Sequence, residues 1–159
     1  METKSKLPYA ASYHDLLAYQ QARQLAQDIF QATIKFPKEE TYSLTSQIRR
    51  SSRAIGAQIA EAWAKRLYEK HFVSKLTDAD GEQQETQHWI DTASDCGYIN
   101  VEQATELKEK CAKIGRLLAG MMAKSHLFCN QSNRTLKETS TEYFAVNISD
   151  QEQFKTDYG

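Results

Sequence analysis

The chain has 159 residues with a formal net charge of −1, and 40% of its residues are hydrophobic. This length is sufficient for one domain with a real core, and the scarcity of proline and glycine favours helices over a sheet. No apolar run approaches the roughly 20 residues that span a bilayer, and no signal-peptide pattern is evident. A cytoplasmic protein is expected, and the three cysteines, which form no Cys-x-x-Cys pair, indicate neither a disulfide framework nor a zinc site.

The first predicted helix runs from His14 to Ile34. Its apolar and small residues recur at spacings of three and four, which places them on one helical face: Ala22, Leu25, Ala26, Ile29, Phe30 and Thr33. Pro37 follows closely, and a proline disfavours helical backbone at the residue before it. The helix is therefore expected to end before Pro37.

The second predicted helix runs from Ser43 to about Lys65, with Thr41 or Ser43 as its N-cap. A stripe of apolar residues aligns along one face and predicts the core side: Ile48, Ile55, Ile59 and Ala62. The other faces carry arginines beside small residues: Arg49, Arg50, Arg53, Ala54 and Ala57. This pattern predicts one side for the protein's own core and a small, basic side for a partner.

The third and fourth helices each carry a seam in which core positions alternate at spacings of four and three, as in an antiparallel bundle. The third seam, with polar middle layers, consists of Phe72, Leu76, Ala79, Gln83, Thr86, Ile90, Ala93 and Gly97. The fourth consists of Ala104, Leu107, Cys111, Ile114, Leu118, Met121 and Ser125. The sequence therefore predicts an all-α, antiparallel up-down-up-down four-helix bundle over residues 13–126, followed at 127–159 by a polar, partly disordered C-terminal tail.

Charge is unevenly distributed despite the near-neutral total. Residues 43–70 contain six Lys or Arg and two acids, whereas residues 77–95 contain six acids and no Lys or Arg. In an antiparallel hairpin that turns near Leu67, Arg49 and Arg53 lie level with Glu82 and Glu85. These two arginines could form ion pairs inside the bundle or contact nucleic acid, and both alternatives stay open. Arg50 is better placed than they are to contact another subunit.

Four further cations surround the same turn, where Glu69 is the only acid expected nearby: Lys65, Arg66, Lys70 and Lys75. Lys124 should reach this end of the bundle from the last helix. Repeated around a symmetric oligomer, these residues would form a basic rim able to bind phosphates. Together with Arg49, Arg50 and Arg53 they are the candidate nucleic-acid-binding residues, although solvated loop lysines are the simpler interpretation.

The sequence gives only weak signals for catalytic or metal-binding residues. Glu85-x-x-His88 resembles half of a di-iron motif, but only one copy occurs and the other helices lack the matching ligands. Glu61, flanked by alanines, is expected to be a buried partner of an arginine or a polar interface group. No nucleophile and base are paired, so we predict no enzymatic activity, no metal and no cofactor.

A family resemblance rests on four segments that occur in a fixed order. They are Phe36-Pro37-Lys38-Glu39-Glu40, the segment Tyr42–Arg50, Ile59-Ala60-Glu61 and Cys96-Gly97-Tyr98-Ile99. From Tyr13 to Ser125 the chain resembles the four-helix bundle proteins first known from intervening sequences in bacterial 23S ribosomal RNA genes. A related branch is the accessory variability determinant of diversity-generating retroelements. The chain departs from the family at Gln58-Ile59-Ala60-Glu61-Ala62, where Asn-Ile-Ala-Glu-Gly is usual.

The resemblance implies a bundle that assembles as a homopentamer, has no enzymatic activity and binds nucleic acid through basic surface. A reverse transcriptase is an additional expected partner if the gene belongs to a retroelement. The sequence thus favours a non-catalytic, oligomeric protein that binds RNA or DNA. The alternative is a protein-interaction adaptor or scaffold that binds no nucleic acid.

Overall fold

The computed structural model describes residues 10–129. Four long helices dominate them: α1 (Leu17–Thr33), α2 (Leu44–Ala64), α3 (Glu69–Asp95) and α4 (Val101–Ala123). Short 3₁₀ helices at Tyr13–Asp15 and Lys38–Glu40 precede α1 and α2. The predicted all-α bundle is confirmed, and most of the predicted tail lies outside the described residues.

The helices form a square in which each contacts its neighbours in the chain and α1 also packs against α4. Contacts between α2 and α3 show that these helices are antiparallel, because Arg50 lies against Glu85 while Glu61 lies against Lys75. The same holds for α3 and α4, where Asp91 meets Lys108 and Glu69 meets Ser125. The turn between α2 and α3 and the end of α4 therefore share one end of the bundle.

The core follows the predicted seams. The α2 stripe is buried, as are the α3 seam from Phe72 to Ala93 and most of the α4 seam. Polar layers of α3 are also buried, and their side chains find partners: Thr86 Oγ1 lies 2.9 Å from Ser51 Oγ, and Gln83 Nε2 donates to Asp80 Oδ1 at 2.9 Å. A buried polar group is tolerated when it is hydrogen-bonded, which explains how polar layers persist in this core.

The start of the bundle differs from the predicted single helix beginning at His14. Ser12 caps the short helix Tyr13–Asp15 in a reciprocal capping box with Asp15. Leu16 then adopts extended backbone, and α1 begins only at Leu17. The interruption turns the aromatic side chains of residues 13–19 toward one another, with Tyr13 and Tyr19 edge to face at 4.9 Å.

Helical packing continues beyond α4. Residues 125–129 are again helical after a break at Lys124. The Phe128 ring stacks on Phe72 with centroids 5.5 Å apart, and Cys129 is buried. The bundle's packing therefore extends three residues past the predicted boundary at 126.

Candidate nucleic-acid interface

Arg50 is the arginine of α2 that pairs with the acidic helix. Its Nη2 lies 2.7 Å from Glu85 Oε1, and its Nη1 lies 3.8 Å from Glu82 Oε1. Of the two roles left open for Arg49 and Arg53, the ion pair with these acids is not formed. The predicted height of these arginines along the bundle axis, level with Glu82 and Glu85, was right. Successive helical residues point about 100° apart, however, so Arg50 faces α3 while its neighbour Arg49 faces α1.

Lys75 is also held in ion pairs, contrary to the expectation that only Glu69 would lie near the turn's cations. Its Nζ lies 2.8 Å from Glu61 Oε2 and 3.5 Å from Asp78 Oδ2. The hydrogen bond to Lys75 lowers the pKa of Glu61, and the same bond raises the pKa of Lys75. Glu61 is therefore an exposed partner of a lysine, and the expectation of a buried partner for an arginine is wrong.

Arg49 and Arg53 lie against α1. Arg49 Nε donates to Thr33 Oγ1 at 2.7 Å, and its guanidinium carbon lies 4.8 Å from the centroid of the Phe30 ring. The Arg53 guanidinium carbon lies 5.8 Å from the same centroid. Among residues 10–129 neither arginine has a carboxylate within 4.0 Å, so both keep an uncompensated charge while the aromatic face holds them in place.

A groove of about 300 Å³ opens between α1 and α2 beside these arginines. Its lining combines guanidinium groups, aromatic rings, one amide and small residues: Tyr13, Tyr19, Ala22, Arg23, Ala26, Gln27, Phe30, Arg53, Gly56, Ala57 and Ala60. None of these lining residues is acidic. We call this groove with Arg49 at its edge the α1–α2 groove.

Arg23 is a member of this site that the sequence reasoning missed. It is exposed, lines the α1–α2 groove and forms no ion pair within the described part of the chain. The available signal was its spacing of seven residues from Phe30, because residues at i and i+7 share a helical face. An arginine one heptad before an aromatic residue, on the helix that precedes the arginine-rich second helix, could have indicated the groove.

At the turn between α2 and α3 the cations occupy different environments. Lys65 and Lys70 are exposed. Arg66 is half-buried, with its guanidinium carbon 3.5 Å from the Trp63 ring centroid and its Nε donating to the Trp63 carbonyl at 2.9 Å. Burial lowers the pKa of Arg66 from its ordinary value, but an arginine keeps its charge at neutral pH.

The acid expected at this turn is already engaged. Glu69 Oε1 accepts a hydrogen bond of 2.5 Å from Ser125 Oγ, which ties the end of α4 to the start of α3. Lys124 therefore reaches the same end of the bundle as the turn, as expected. Glu69 lies close to the turn's cations but forms no ion pair with them within the described residues.

Glu85 and His88, considered above as possible metal ligands, contact neighbouring side chains of the bundle. Glu85 Oε1 accepts hydrogen bonds from both Arg50 and Trp89 Nε1, at 2.7 and 3.1 Å. His88 is exposed and its ring lies 4.7 Å from that of Trp89. Within residues 10–129 no three His, Cys, Asp or Glu side chains come together in a way that could hold a metal ion.

Residues of the motifs that carry the family resemblance meet at the opposite end of the bundle. Tyr98 donates to Glu40 Oε1 at 3.0 Å, and the rings of Phe36 and Tyr98 lie 5.4 Å apart. Glu40 Oε2 also accepts hydrogen bonds from Ser43 Oγ and from the Leu44 backbone N–H, and so caps α2 in place of the predicted Ser43 side chain. These motif residues therefore fix how α2 begins and where α3 ends.

The arrangement defines a class of protein: an antiparallel four-helix bundle with a basic groove between its first two helices. Residues 14–120 match the family described as 23S rRNA-intervening sequence protein. Because the match covers most of the chain, the protein belongs to that family, which confirms the resemblance. Among residues 10–129, no helix combines the length and the apolar character that a membrane crossing requires.

A solved structure shares the fold. It is a protein of unknown function from the S23 ribosomal protein family of Bacteroides thetaiotaomicron, 25% identical in sequence, with a TM-score of 0.60. The alignment covers 67% of this chain and 98% of that protein. No protein of curated function matches the sequence significantly.

Proposed function

We propose that this protein is a non-catalytic, homo-oligomeric bundle that binds RNA or DNA through basic surface. The observation that carries the proposal is the α1–α2 face. There Arg23, Arg49 and Arg53 present guanidinium groups with no carboxylate within ion-pair distance in the described chain. A polyanion gains most from such uncompensated cations, because each phosphate they neutralise releases condensed counterions.

The turn between α2 and α3 extends this surface. Lys65 and Lys70 are exposed and Arg66 is positioned on Trp63, so α2 carries cations from Arg49 to its C-terminal end. Arg50 and Lys75, also predicted as contacts, are less suited to the role because their charges are already balanced by acids of the bundle. The proposed interface therefore consists of Arg23, Arg49, Arg53, Lys65, Arg66 and Lys70.

The absence of catalysis is part of the proposal. Cys111, a chemically possible nucleophile, is fully buried, and burial raises the pKa of its thiol to about 12. A thiol of that pKa is almost wholly protonated at neutral pH, whereas the thiolate is the reactive form. Glu85 and Glu40, two carboxylates that each accept several hydrogen bonds, support helix packing and helix capping.

Assembly and partners are proposals that follow from the family resemblance, and the location is a proposal that follows from the sequence pattern. We expect a cytoplasmic homopentamer, and a reverse transcriptase as a further partner where the gene lies in a retroelement. The adaptor function remains the alternative, and exposed large apolar side chains bear on it. Among residues 10–129 they lie near the helix ends, three at each end of the bundle, rather than along one side: Leu17, Tyr68 and Leu127, then Ile34, Tyr42 and Val101.

The test is binding to labelled RNA and DNA, measured by fluorescence anisotropy over a range of salt concentrations. The double variant Arg23→Gln/Arg53→Gln should weaken binding and reduce the slope of log K against log salt by about two, since two phosphate contacts are lost. Its matched control is Lys108→Gln/Arg116→Gln, which removes the same charge from α4, where both cations pair with acids.

The control variant should bind almost as the wild type does. Equal losses in both double variants would show that net charge alone governs binding and would contradict the proposed interface. If the wild-type protein bound neither RNA nor DNA at about 50 mM salt, where such contacts are strong, the adaptor function would replace this proposal.

A further inference from the structure

The α1–α2 groove has an aromatic composition that phosphate binding does not require. Tyr13, Tyr19 and Phe30 each lie half-buried in its lining. The Tyr19 ring packs over Gly56 of α2, where a Cβ would lie 3.6 Å from it. His14 stacks on Tyr13 with ring centroids 4.1 Å apart. Rings thus line the groove from the start of α1 to Phe30.

The guanidinium groups lie beside these rings with donors to spare. Arg49 uses Nε on Thr33, and among the described residues its two terminal nitrogens make no hydrogen bond. Arg53 and Arg23 make no side-chain hydrogen bond there either. Packing against Phe30 positions the guanidinium groups of Arg49 and Arg53 before any ligand arrives, so less side-chain entropy is lost when an anion binds.

We propose that the α1–α2 groove binds unpaired nucleotides of a single strand, with a base stacked on the guanidinium planes that Phe30 supports and the neighbouring phosphates on Arg23, Arg49 and Arg53. This inference rests on the proposed function and specifies the form of nucleic acid. The groove, at about 300 Å³, is at the small end of ligand pockets and suits a single ring system.

Single-stranded nucleic acid is favoured over a duplex for a chemical reason. The bases of a double helix are stacked on one another and their faces are not available, whereas unpaired bases can stack on aromatic rings or on arginine planes. Charge complementarity requires only that the ligand be an anion, because no lining residue of the groove is acidic. An acidic peptide would satisfy the arginines but would leave the aromatic faces without a stacking partner.

The experiment compares an unstructured single-stranded RNA with a blunt RNA duplex that carries the same number of phosphates. The wild type should bind the single strand more tightly. Phe30→Leu keeps an apolar side chain but removes the ring that supports the two guanidinium groups, and should weaken single-strand binding by about 5-fold to 150-fold, the range for loss of one stacked base. Duplex binding should change little.

Two further variants make the result specific. Phe30→Tyr retains the ring and should restore single-strand binding, which separates stacking from any damage to the fold. Tyr42→Leu removes a highly exposed aromatic residue outside the groove and should change neither affinity. Light scattering on each variant checks whether assembly is altered.

The outcomes separate this inference from the function on which it rests. Equal affinity for single strand and duplex, or equal losses on both in Phe30→Leu, would overturn the inference and leave nucleic-acid binding intact. Dissociation of the oligomer in Phe30→Leu would assign the groove to a contact between copies and overturn it as well. If polyglutamate competed for the groove as strongly as the RNA does, the groove would be a general anion site and the inference would be overturned. Absence of all nucleic-acid binding would overturn the proposed function itself.

Discussion

The Glu40 carboxylate joins parts of the chain that are far apart in sequence. It accepts hydrogen bonds from Ser43 and from the Leu44 backbone at the start of α2, and from Tyr98 after the end of α3. These bonds favour the ionised carboxylate and lower the pKa of Glu40, with the Ser43 hydroxyl contributing most. One residue thereby caps a helix and fixes a tertiary contact.

A pH-dependent contribution to stability follows from Glu40. Because its folded pKa lies below its ordinary value of 4.5, the contribution is present above that value and is lost as pH falls through the folded pKa. Glu40→Gln should lower the unfolding midpoint at neutral pH and make it less sensitive to acid between about pH 6 and pH 3. Thermal unfolding followed by circular dichroism measures both effects.

The control for this experiment is the neighbouring residue. Glu39 is exposed and makes no side-chain hydrogen bond or ion pair within the described residues, so Glu39→Gln should retain the acid sensitivity of the wild type. Identical pH profiles for Glu40→Gln and the wild type would contradict the capping role.

The arginines of α2 show what the sequence predicts about single residues and what it does not. Distance from a turn predicts the level at which residues of a hairpin meet, and the pairs of Arg50 with Glu85 and Lys75 with Glu61 lie at the expected level. Direction around the helix changes by about 100° per residue. The pattern of charges alone could not tell that Arg50 turns to α3 and Arg49 to α1.

Among the elements, the end of α3 is defined by Gly97. Its φ of +72° is the only positive value in the described chain. The Tyr98 N–H donates to the Ala93 carbonyl and the Gly97 N–H to the Ser94 carbonyl, both at 2.9 Å. This pair of bonds is a Schellman motif, which satisfies the last carbonyls of the helix and requires left-handed backbone at the glycine.

Substitution of two glycines should therefore have opposite effects. Gly97→Ala should destabilise the protein by about 1 kcal/mol, since an L-residue is strained in left-handed backbone. Gly120, inside α4, has ordinary helical backbone and open space where a methyl group would project, so Gly120→Ala should stabilise by about 0.5–1 kcal/mol. Urea denaturation of both variants measures the difference, and a loss of stability in both would contradict this account of the helix end.

Helix seams were the most predictable feature of the elements, because a buried face imposes a period of 3.6 residues on the sequence. This holds even for the polar layer at Gln83 and Thr86, whose spacing rather than hydrophobicity identified it. The break at Leu16 was not predicted. A single residue in extended backbone leaves the apolar spacing almost unchanged, and only the Ser12–Asp15 capping box marks it.

At the scale of the whole molecule, the net charge is −1, but two opposite sides of the bundle are lined by different charged residues. The groove between α1 and α2 is lined by arginines without acids. The opposite side, between α3 and α4, has Asp80 and Asp91 in its lining together with Arg116. A polyanion approaching such a protomer meets fewer acids on the α1–α2 side than on the α3–α4 side, and a symmetric oligomer would multiply that asymmetry.

Assembly can be tested through the small residues on the outer side of α2. Ala54 is half-buried on the outer side of α2 and does not line the α1–α2 groove, and close approach of a second copy at this position would leave no room for a long charged side chain. We expect light scattering of the wild type to give the mass of a homopentamer, as the family resemblance implies. Ala54→Arg should shift the population toward smaller species, because an arginine buried at a contact without a partner is costly.

Ala119→Arg provides the matched control. Ala119 is an exposed helical alanine of α4 on the opposite side of the bundle, so the same substitution there changes charge and size equally without entering the proposed contact. Its mass should equal that of the wild type. A monomeric wild type at micromolar concentration, or equal dissociation of both variants, would contradict assembly through α2, and the basic face would then have to bind nucleic acid as a single copy with correspondingly fewer phosphate contacts.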